Sequence, residues 1–108
     1  MQYEERFTDQ ELGQIIEEGM IYMCACPAQV AEAMRKLREL YRYQQQCLAQ
    51  PSNNASVHST IAASTIQAHA TLQDCLDQVL VLEQWDRNTL KMPPNLRKRQ
   101  LSEMLAED

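Results

Sequence analysis

At 108 residues the chain is long enough for one domain with its own core, and its 44% hydrophobic and 23% charged composition is that of a folded globular protein. A net charge of −5 and a pI near 5.0 argue against nucleic acid as the partner, because phosphate binding needs a basic face. Two glycines, four prolines and 6% aromatic residues leave little material for turns and strands, so an all-α fold is expected.

The first predicted helix spans 8–24. Thr8-Asp9-Gln10-Glu11 has the pattern of a capping box, in which Thr8 caps the amide of Glu11 and the Glu11 carboxylate returns to the amide of Thr8. Leu12, Ile15, Ile16, Met20 and Met23 then recur at helical spacing. Gly13 and Gly19 each weaken this helix by roughly 1 kcal/mol relative to alanine, and Gly19 leaves room for a neighbouring helix. The acidic opening Met1-Gln2-Tyr3-Glu4-Glu5 lacks the basic first region of a secretion signal. The apolar run from Met20 to Cys26 is too short to cross a bilayer. A cytoplasmic address with reduced thiols and no membrane partner is the expectation.

Cys24-Ala25-Cys26-Pro27 marks the next boundary. Proline is tolerated in the first turn of a helix and breaks one elsewhere, so a second helix is predicted over 27–49. Val30, Met34, Leu37, Tyr41 and Leu48 form its apolar stripe, widened by Ala33 and Leu40. The turn formers of 50–56 predict a loop, and a third helix follows over 57–85, roughly 40 Å long at helical rise. Its candidates for burial are Ile61, Ile66, Leu72, Leu76, Val79, Leu80 and Leu82. A connector holding Pro93-Pro94 leads to a short helix over 95–106, whose Arg97-Lys98-Arg99 reads as a solvated basic segment.

The short loop predicts that the two long helices fold back as an antiparallel hairpin, flanked by short helices at both ends. Two helices cannot bury so broad an apolar set between themselves. A homodimer in which two hairpins form a four-helix core is therefore expected.

Chemistry-bearing residues are few. Cys24 and Cys26 are the candidate site: two thiolates at a helix corner are soft donors for Cu(I) or Zn(II) or a redox pair, and as plain side chains they fill space. Two sulfurs do not complete a tetrahedral zinc site. Hairpin geometry sets Cys75 opposite residue 31, roughly 8 Å along the axis from Cys26, so Cys75 and His69 are possible helpers. His69 lies beside the buried stripe and reads first as a core histidine bonded to a hydroxyl or carbonyl. His58 is roughly 16 Å from His69 along one helix, too far to share a metal. No phosphate-cradling or nucleophile motif occurs, and two glycines cannot build a phosphate loop in the usual way. The expectation is a small non-catalytic cytoplasmic interaction or regulatory protein acting through helical surfaces, with no cofactor. Its alternative is a soft-metal or redox site at Cys24 and Cys26.

Overall fold

The computed structural model describes residues 2–20, 26–50, 54–94 and 105. Among them the fold is all-helical and has three helices: α1 (Asp9–Met20), α2 (Cys26–Leu48) and α3 (Ala55–Leu82). Of the helix expected over 95–106 only residue 105 is described, and the end of the first helix lies outside the described residues, as do Cys24 and Arg97-Lys98-Arg99.

Local chemistry explains each boundary. At the start of α1, Thr8 Oγ1 accepts from the Glu11 amide at 3.0 Å and Glu11 Oε1 accepts from the Thr8 amide at 2.9 Å. Two amides that the helix leaves unpaired are thereby satisfied. α2 begins at Cys26, so Pro27 stands in its first turn. α3 begins two residues earlier than expected, because Asn54 caps it: its side chain accepts from the amides of Ser56 at 3.2 Å and Val57 at 3.5 Å.

The C-terminus of α3 comes three residues before the predicted end. Gln84 adopts a left-handed φ of 61°, its amide donates to Val81 O at 3.0 Å, and the Trp85 amide donates to Leu80 O at 2.9 Å. This pair of bonds is a Schellman stop, normally built on glycine. Here glutamine occupies that position, so no glycine announces it. Leu82, expected to be buried, is 79% exposed.

α2 packs against both α3 and α1. Gln44 meets His58 and Arg38 meets His69, so later residues of α2 face earlier residues of α3. The core gathers Leu12, Ile15 and Ile16 from α1, Ala31 and Met34 from α2, and Leu76 and Leu80 from α3. Non-helical segments complete it with Phe7, Trp85, Leu90 and Met92. The stretch 83–92, read from sequence as the last turn of the third helix followed by a connector, is therefore a non-helical part of the core. Asp86 Oδ1 closes a turn by accepting from the Asn88 and Thr89 amides at 2.8 and 3.0 Å. The buried Glu18 carboxylate of α1 accepts from the Met92 amide at 2.8 Å, pinning the segment across the helix.

Candidate functional site

The centre of the molecule's polar chemistry is Arg38, a residue the sequence reading did not single out. It lies on α2 in phase with the buried Ala31 and Met34 and is only 1% exposed. A guanidinium is all donor, and a buried one is tolerated only when its N–H groups find acceptors. Nε donates to His69 Nε2 at 3.0 Å, Nη1 to Asp9 Oδ1 at 2.8 Å, and Nη2 to the Phe7 carbonyl at 2.6 Å. One side chain thus ties α2 to α3, to the first residue of α1 and to the segment before it.

The chain before α1 lies over this junction as a strap. The Tyr3 ring stacks on Tyr41 with centroids 3.9 Å apart and lies 5.2 Å from the His69 ring. Its hydroxyl donates to Glu5, and burial together with that carboxylate pushes the phenol well above its ordinary range. Glu5 and Asp9 also hold Arg42, at 2.8 and 3.0 Å. On the α3 side, the Arg6 amide donates to Gln73 Oε1 at 2.8 Å and Gln73 Nε2 donates to the Glu4 carbonyl at 3.2 Å. The Arg6 guanidinium pairs with Asp74 and Asp77.

This geometry fixes protonation. Because Arg38 Nε only donates, His69 Nε2 carries the lone pair and the ring is neutral. Burial, and next the Arg38 charge, push the His69 pKa below its ordinary value. The Arg38 hydrogen bond holds the Asp9 carboxyl below the usual carboxylate range, with Arg42 adding to it. His69 is thus a buried histidine, but its partner is a guanidinium and not the expected hydroxyl or carbonyl. Any metal would have to bind through Nδ1 or displace Arg38.

The thiols are dispersed among different settings. Cys26 is exposed at the first residue of α2, while Cys75 and Cys47 are half-buried on α3 and α2. Cys47 hydrogen-bonds Tyr43, raising the Tyr43 phenol. Among the described residues, no three His, Cys, Asp or Glu side chains cluster as a metal site.

The described residues also form surface hollows. A groove of about 490 Å³ opens between α1 and α2 beside Asp9, Gly13, Ile16, Arg35 and Arg42. Gly13 widens it, since a Cβ built there meets no atom within 4 Å. A shallower hollow of about 360 Å³ lies at the end of α3 among Asp77, Gln78, Val81 and Leu82. Val81 and Leu82 are exposed there, as is Met20 at the end of α1. Among the described residues no helix is long and apolar enough to cross a membrane.

The Arg38 cluster has one signal in the sequence: a charged residue at a helical position otherwise reserved for apolar side chains. No protein-family model, curated protein or solved structure matches the chain.

Proposed function

We propose that this is a small, non-catalytic cytoplasmic protein that interacts with or regulates other proteins through its helical surfaces. We propose further that α2 and α3 act as an antiparallel hairpin that doubles, as a homodimer, into a four-helix core. The observation that carries this reading is apolar side chain left at the surface of the helices: Leu40, Tyr43, Val57, Val81 and Leu82 are all exposed. The polar cluster at Arg38 supports it in a different way. Its donors are already engaged by acceptors of the same chain, so its chemistry serves to hold the strap, α1 and α3 on α2.

A second reading, soft-metal or redox chemistry at Cys24 and Cys26, rests on the exposure of Cys26, which makes that thiol reachable. The double variant Cys24→Ser/Cys26→Ser separates the two. An interaction protein keeps its size and its unfolding midpoint in this variant, and chelator leaves the wild type unchanged. A wild type that loses stability in chelator, and a variant that no longer responds to it, would overturn the non-catalytic reading in favour of a metal site.

A further inference from the structure

Helical geometry divides the α2–α3 pair into two faces. At 100° per residue, the α3 residues that meet the strap, Gln73, Asp74 and Asp77, lie on one flank of the buried line through Thr65, His69 and Leu76. Val57, Ile61, Cys75 and Leu82 lie on the other flank, repeating at the three- and four-residue steps of a single stripe. On α2 the groove residues Arg35 and Arg42 lie to one side of the line through Met34 and Arg38. Leu37, Leu40 and Cys47 lie to the other side. Since later residues of α2 face earlier residues of α3, the two stripes fall on the same face of the pair, turned away from the strap.

That face is apolar and only half-covered. Val57 is 49% exposed, Leu40 40% and Leu82 79%, while Leu37, Cys47, Ile61 and Cys75 are half-buried. It also carries no acidic residue. From residue 43 to residue 73 the sequence has no Asp, Glu, Lys or Arg, and the α3 stripe carries none; on α2 the stripe has one charge, the exposed Lys36, four residues before Leu40. The exposed Ser64 and Ala68 near its middle have small side chains that allow a close approach.

We infer that a second copy of this chain covers this face. The inference rests on the dimer reading above and names the surface that reading requires. Two chains of net charge −5 repel wherever their acidic surfaces meet, and a face without carboxylates is where two identical copies can touch without setting acidic groups against each other. The size also fits. Val57 to Leu82 runs roughly 37 Å at helical rise, and two helices are about 20 Å across, a footprint of roughly 700 Å². Stable protein interfaces bury about 800 Å² per partner.

The test is sedimentation equilibrium of the full chain across micromolar concentrations, comparing the wild type with Ala68→Glu, Ser64→Glu and Gln14→Glu. Residues 64 and 68 are exposed in the single chain, so a carboxylate there leaves the fold intact, which far-UV circular dichroism checks. Gln14 is exposed on α1 and adds the same charge elsewhere. The wild type and Gln14→Glu are expected to be dimers, and each charged variant of α3 to raise the dissociation constant about 100-fold or more, since it would bury an unpaired charge. A wild-type dimer that survives both α3 substitutions, or that Gln14→Glu weakens equally, overturns this face and leaves the dimer standing. A wild type that stays monomeric overturns the dimer itself.

Discussion

Arg38 donates from three of its nitrogens to groups on three different segments, so its removal does more than delete a charge. Arg38→Ala strands a buried imidazole lone pair and the Phe7 carbonyl without donors. A loss of about 2–4 kcal/mol is expected in urea unfolding. Arg38→Lys should recover little of it, because one ammonium on a single stem cannot reproduce the planar fork. The same contact makes stability depend on pH. His69 has a folded pKa below its unfolded value near 6.5, so between those two values the unfolded chain binds the extra proton. The neutral ring's contribution is complete above pH 6.5 and is lost as pH falls from there toward the depressed folded value, by at most ~1.4 kcal/mol per pH unit. Asp9 follows lower down: its depressed carboxyl stabilises the fold above the unfolded value of 3.8, and that contribution is lost as pH falls through the folded one. His69→Gln keeps an acceptor for Arg38 without a titrating ring. Urea unfolding at pH 7.5 and 5.5 should therefore show a smaller loss in His69→Gln than in the wild type. Equal losses would remove His69 from the account.

Among the elements, the starts of α1 and α2 and the end of α2 were readable, and the two ends of α3 were not. Thr8 with Glu11 announces α1, and Pro27 announces α2, because both signals are local side-chain chemistry. The stop of α3 carries no such mark, since a Schellman turn built on Gln84 lacks its glycine. Glutamine pays for the left-handed φ with steric strain, so Gln84→Gly should raise stability by about 0.5–1 kcal/mol. Thermal unfolding at neutral pH checks this, and a destabilised Gln84→Gly would contradict the assignment. The strap and the stretch 83–92 were invisible for a related reason. Tyr3, Phe7 and Met92 have no periodic neighbours, and their burial is decided by the helices they lie on; Trp85 has helical spacing to Val81 and Leu82 but is buried beyond the helix stop. Arg38 and Glu18 were missed because a charged side chain in the core is legible only once its partners, distant in sequence, are known.

The molecule as a whole is extended. Its Cα radius of gyration is 17.1 Å, whereas a compact domain of this length would have roughly 13 Å. Extra radius means extra surface, and the described chain accordingly leaves apolar side chains on the face of α2 and α3 opposite the strap. One flank of the helix pair is closed by α1, the strap and residues 83–92, through Arg38, Arg6 and Glu18. The other flank has no covering segment among the described residues and, apart from Lys36 at its α2 edge, no charge to keep it in water. Pairing with a second copy resolves that asymmetry, and it needs neither metal nor cofactor. Native mass spectrometry of the full chain, purified without oxygen or chelator, tests this most directly because it counts subunits and bound metal in one spectrum. A metal-free homodimer gives the mass of two unmodified chains with all thiols reduced. The mass of one chain, or of chains carrying a fixed number of metal ions, would contradict it.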